Sequence, residues 1–202
     1  MGPYSIVLFL HIVGAIGYFV GMGTWLFLLA ALRRAQRVEQ VRTLTPLMGL
    51  IGPLILFSVL LLLAAGLYMA ITAWGLLTSW IDVALISLLL IVPLGTAINE
   101  PRRRAIDRLA QEASDGPLSR SLEQRTHDPV LLIAPRTTII LLLGIVFLMT
   151  NKPSLLGSLI VIAVALALGL AWGVLVSRTM RTREQATAVH EAVPESLSDS
   201  RA

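Results

Sequence analysis

Residues 5–32, SIVLFLHIVGAIGYFVGMGTWLFLLAAL, contain no acidic or basic side chain except His11, and the run closes on Arg33-Arg34. About 20 apolar helical residues cross the hydrocarbon core of a bilayer, so a stretch of this length reads as a membrane span rather than a globular helix. The pattern recurs along the chain. A second span lies within Pro46–Ala73, a third at Ile81–Ile98, a fourth at Leu131–Thr150 and a fifth at Leu155–Val176. Residues 46–98 are too long for one crossing and suit two, with Trp74–Trp80 as the hairpin. The expected fold is an all-α polytopic bundle of about five transmembrane helices. Residues 1–177 form the bundle, 99–129 a cytoplasmic loop, and 178–202 a disordered cytoplasmic tail without apolar periodicity. No basic residue precedes the first run and no small-residue cleavage site follows it, so it reads as a retained helix and not a signal peptide.

Composition supports this class. The chain is 56% hydrophobic and 14% charged, against about 25% charged residues in soluble domains. A net charge of +4 and a pI near 10.3 would suit a nucleic-acid binder. Here the basic residues sit at the ends of apolar runs, where orientation signals belong, so no nucleic-acid partner is expected. There is no cysteine, which excludes disulfides, thiolate metal sites and cysteine nucleophiles.

The loops set an orientation. Arg33, Arg34, Arg37 and Arg42 follow the first span; Arg102, Arg103, Arg104, Arg108, Arg120 and Arg125 follow the third; Arg178, Arg181, Arg183 and Arg201 follow the fifth. With Arg136 they share one face, against Lys152 alone on the other. The opposite loops are short, so this asymmetry says more about direction than about span number. It places the N-terminus outside and the C-terminus in the cytoplasm of a bacterial cytoplasmic (inner) membrane. Tyr4, Tyr68, Trp74 and Trp80 cluster near the outer surface, where amphipathic rings favour the interface. Trp25 and Trp172 lie toward the inner leaflet. Residues from Pro101, PRRRAIDRLAQEA, read as a short polar helix with proline near its first position. Arg102, Arg103 and Arg104 are expected to meet anionic lipid headgroups.

Few residues carry possible chemistry. His11, Gly14, Tyr18, Gly21 and Trp25 fall on one helix face that should point at other helices. An ionisable residue inside a membrane is a functional hypothesis by default. Imidazole could ligate haem iron or copper or relay a proton; the plain alternative is a neutral histidine hydrogen-bonded to a neighbouring helix. Met69 and Met149 occupy the same membrane layer as His11. Thioethers with an imidazole suit copper(I) or haem, although methionine is also a common gap-filler. A bis-histidine haem within one chain is excluded, because His127 and His190 fall in cytoplasmic segments. Asp82 could partner His11, or could belong to a capping box in Ser79-Trp80-Ile81-Asp82. Arg136 either snorkels, pairs with Glu100, or binds an anion. Pro53 and Pro93 could bend their spans and open a cavity, the one pointer to a small-solute transporter. Gly17–Gly21 and Gly169–Gly173 fit close helix contacts, either within the chain or across a homo-oligomer. No nucleotide-binding glycine loop and no nucleophile–histidine–acid set is present.

The segment Leu10-His11-Ile12-Val13-Gly14-Ala15 resembles the start of a broad set of bacterial membrane proteins with L-H-x-x-x-A or L-H-x-x-G early in the first helix. The set includes an uncharacterised family of predicted integral membrane proteins, and CopD-like and HemJ-type proteins look similar in this helix. Met149-Thr150-Asn151-Lys152-Pro153 resembles the junction before the last helix of the uncharacterised family. The resemblance implies a helical bundle and, at most, a haem or copper role for His11. The chain departs from the haem-oxidase pattern in lacking an intramembrane lysine and a second histidine. The functional expectation is therefore a non-catalytic structural or accessory membrane protein, with a haem- or copper-binding redox or transport protein and a small-solute transporter as alternatives.

Overall fold

Each apolar run becomes one long helix, because a backbone without water must satisfy its own hydrogen bonds. The computed structural model describes residues 2–75 and 77–199, with side chains described as far as Thr179. The helices are α1 (Pro3–Arg33), α2 (Val38–Met69), α3 (Ser79–Glu112), a short α4 (Arg120–Thr126), α5 (Pro129–Asn151) and α6 (Leu155–Asp199). A π-helical turn, Ala70–Trp74, carries α2 on to the hairpin before α3. Five of these elements are long and apolar enough to cross a membrane, and no strand occurs among the described residues. The expected tail, 178–202, falls for the most part beyond the residues whose side chains are described.

Two tight pairs, α1 with α2 and α5 with α6, are joined by α3, which packs on α5. α5 is the central helix: half of its apolar window is buried, against 17–28% for the other four. The large remaining apolar surface, including Phe9, Phe57 and Leu90, is what a helix presents to lipid tails.

Glycines let the paired helices approach. A Cβ on Gly14 would lie 2.8 Å from the Leu62 nitrogen and 2.9 Å from the Ser58 oxygen of α2. Gly169 and Gly173 of α6 sit against the Thr137 and Ile133 Cα atoms of α5 in the same way. Gly17 faces the Ser58 side chain and a Cβ on Gly21 would stand 2.6 Å from Ile55 Cγ1, so both small-residue motifs, Gly17–Gly21 and Gly169–Gly173, have partners within the chain. The His11 face also appears as anticipated, with Gly14, Tyr18, Gly21 and Trp25 buried along α1.

The arginine-rich end departs from expectation. α3 runs unbroken through Pro101, so the polar segment is an extension of the third span and not a separate helix. At about 1.5 Å per residue, its 34 residues measure about 51 Å, more than the ~40–45 Å of a bilayer with its headgroups. α2 extends likewise. At the arginine-rich end, α1, α2 and α3 pack with α4 and the start of α5 around Leu29, Leu32, Val41, Ile106, Leu122 and Leu131, each at 0–1% exposure. A soluble-style core has formed where a loop was expected.

Candidate functional site

His11 lies on α1 opposite Gly66 of α2. Its Nδ1 is 2.9 Å from the Leu62 carbonyl oxygen. A carbonyl only accepts, so Nδ1 carries the proton and donates. The missing side chain of Gly66 makes room for the ring: a Cβ there would stand 3.0 Å from His11 Cε1. Leu62 has its usual i+4 amide partner within the helix in addition, so the ring adds a second bond to one carbonyl. Nε2 has no hydrogen-bond partner among the described residues. Met69 is buried near the end of α2, and Met149 packs at the edge of the core formed by Tyr18, Val59, Val83 and Leu142. Among the described residues no three His, Cys, Asp or Glu side chains converge as a metal-binding group.

Asp82 sits in the first turn of α3, where a negative charge complements the helix dipole. The proposed capping box is not formed. Thr78, not Ser79, is the N-cap, and it makes no side-chain cap bond. Its hydroxyl instead donates to the Trp74 and Gly75 carbonyls. Trp74 and Trp80 meet edge to face at 5.4 Å, and Lys152 Nζ stands 4.2 Å from the Trp74 ring centre. This cation–π contact ties the α2–α3 hairpin to the α5–α6 junction.

Arg136 does not pair with Glu100. Its Nη1 donates to the Leu132 carbonyl, 3.0 Å away, in the turn loosened by Pro135. Arg102 does the same beside Pro101, donating from Nη1 to the Ile98 carbonyl at 2.6 Å. In both Pro-Arg pairs the arginine side chain donates to the carbonyl four residues before it, one position after the carbonyl that the proline leaves without its amide donor.

Glu100 is held by two arginines on its own helix. Arg103 Nη2 and Arg104 Nε both approach Oε1 at 2.7 Å. The hydrogen bond from Arg103, with help from Arg104, holds this carboxyl at about 2, well below its usual range. Arg103 also donates to the Thr45 carbonyl, and Arg102 Nε binds Asp128 Oδ2 at 3.0 Å. The triplet expected to face headgroups therefore turns largely inward; only Arg104 remains substantially exposed, at 72%.

Sequence reasoning missed the densest polar cluster. Arg42 of α2 donates to the Ala110 and Ala113 carbonyls at the end of α3 and to Asp115. A cation there meets the exposed carbonyls of a helix C-terminus. Thr45, fully buried, donates to Asp107 Oδ1 at 2.6 Å. The Val38 amide donates to the Gly116 carbonyl and Leu118 to Gln36, pinning the loop after α3 to the α1–α2 turn. The only trace of this in sequence is the Asp-Gly-Pro turn at 115–117.

An all-α bundle with five membrane-length helices, its intramembrane polar groups turned to backbone carbonyls, defines a multi-pass integral membrane protein. The chain belongs to the DUF2269 family of predicted integral membrane proteins, which it matches over residues 5–153. That match covers α1 to α5 and stops before α6. No curated protein and no solved structure shows significant similarity.

Proposed function

We propose that this chain is a non-catalytic accessory component of the bacterial cytoplasmic membrane, with its N-terminus outside and its C-terminus in the cytoplasm. One observation carries the reading: His11, Arg136 and the threonines beside Arg136 are engaged with backbone carbonyls. His11 ties α1 to α2 through Leu62, and Arg136, Thr137 and Thr138 bond carbonyls of their own helix. His11 and Arg136 stand toward opposite ends of the bundle, so they do not form one reactive pair. The arginine-bearing end, with its packed core, supports the orientation.

One observation favours a second reading. A histidine whose Nδ1–H is fixed by a carbonyl presents Nε2 in the manner of a metal ligand. A haem or copper ion at His11, with Met69 or Met149, would use that nitrogen. Absorption spectroscopy and metal analysis of the detergent-purified protein separate the two. The accessory reading expects identical visible spectra and metal content for the wild type and His11→Ala. A haem band or stoichiometric copper that disappears in His11→Ala would overturn it in favour of the ligand role.

A further inference from the structure

We propose that a groove between the arginine-rich ends of α1 and α2 binds one anionic phospholipid, with its phosphate at Arg34 and its acyl chains along Phe27, Ala30 and Leu44. The inference depends on the chain lying in a membrane and is independent of the His11 question. The groove has a volume of about 680 Å³ and is open on one side. Phe27, Ala30, Ala31, Ala35 and Leu44 make its floor apolar, and Arg34, Gln40 and Thr43 stand among them.

Depth places the groove at a headgroup layer. The 31 residues of α1 extend about 46 Å at ~1.5 Å each, close to the ~40–45 Å of a bilayer with its headgroups. Arg34 follows the last residue of α1 and so stands at phosphate level, with Phe27 two turns deeper. Phe27 is 75% exposed, a costly state in water and an ordinary one against an acyl chain.

Charge selects an anionic lipid over a neutral one. Arg37, Arg42, Arg102, Arg103 and Arg104 each have a carboxylate partner. The Arg34 side chain is exposed and, among the described residues, has no hydrogen bond or ion pair. Gln40 adds a second donor. Its Oε1 accepts from the Gln36 and Arg37 amides, which leaves the Nε2 hydrogens available to a phosphate oxygen. The groove therefore offers a guanidinium and an amide over an apolar floor.

The test is native mass spectrometry of the full chain released from mild detergent, titrated with phosphatidylglycerol or with phosphatidylcholine of the same acyl chains. The wild type should retain one phosphatidylglycerol in preference to phosphatidylcholine by about fivefold, the effect of one arginine near an anionic surface. Arg34→Gln should abolish the preference. Ala30→Trp, which fills the groove from an exposed position, should reduce retention of both lipids. Arg104→Gln should leave the preference intact. An unchanged preference in Arg34→Gln, or equal loss in Arg104→Gln, would overturn the proposal. So would a lipid-free dimer that Ala30→Trp converts to monomer, since a second copy would then be the occupant.

Discussion

Replacing Gly14 by alanine tests how α1 and α2 are held together. The added Cβ would meet the Leu62 nitrogen at 2.8 Å and the Ser58 oxygen at 2.9 Å. Both are backbone atoms of a rigid helix, so α1 itself must move away. Overpacking of this kind costs about 1–3 kcal/mol. The movement also stretches the His11–Leu62 bond one turn earlier, and an interhelical hydrogen bond in a membrane protein is worth about 0.6 kcal/mol. Gly23 lies on the same helix with nothing near its missing side chain. Gly23→Ala therefore shares the gain in helix propensity, up to about 1 kcal/mol, without the collision. The propensity gain cancels between the two variants, leaving Gly14→Ala less stable than Gly23→Ala by about 1.5–3.5 kcal/mol. Unfolding by sodium dodecyl sulfate in mixed micelles, followed by tryptophan fluorescence, measures the difference directly. Equal midpoints for the two variants would refute the close approach of α1 to α2.

Leu122→Ala removes a fully buried side chain from the core at the arginine-rich end and should cost about 2–5 kcal/mol; the same unfolding assay reads it, and a near-neutral result would mean that this end is not packed as described. Glu100 predicts a pH effect. Its folded pKa of about 2 lies below the ordinary 4.5, so its pairing stabilises the fold above pH 4.5 and the stabilisation fades as pH falls toward 2. Glu100→Gln should flatten that part of the melting-temperature profile; a profile identical to the wild type would show that the arginine pair contributes nothing. For orientation, protease added to intact spheroplasts should spare an epitope at the C-terminus, and trimming there would reverse the assigned direction.

The spans were legible because a bilayer imposes one simple rule on the chain: long apolar runs, helical throughout. Leu155–Val176 and Leu131–Thr150 fall within α6 and α5 for that reason. Pro101 was misleading because proline at a first helical turn and proline inside a helix look alike in sequence. What decides between them is whether the turn before the proline is helical, and here α3 runs unbroken from Ser79 to Glu112. The partners of the arginines were also hidden. Asp128 lies 26 residues from Arg102, and Thr45 lies 58 residues from Arg103, separations that no local pattern encodes. Glu100, by contrast, finds Arg103 and Arg104 at the three- and four-residue spacings that helices favour, and that pairing could have been read in place of Arg136. The Gly66 notch for His11 is a third case: the glycine is visible in the sequence, but its registration with His11 exists only once two helices cross.

The packed end of the bundle also bears on how another macromolecule would meet this protein. Flexible connectors lose conformational freedom when they are gripped, at about 0.5–1.5 kcal/mol for each immobilised side chain. Here Arg42 clamps the end of α3 and Thr45 is locked to Asp107, so much of that ordering is complete before any encounter. A visitor would find a stiff plinth at the membrane surface, and recognition there would be governed by matching shape rather than by moulding.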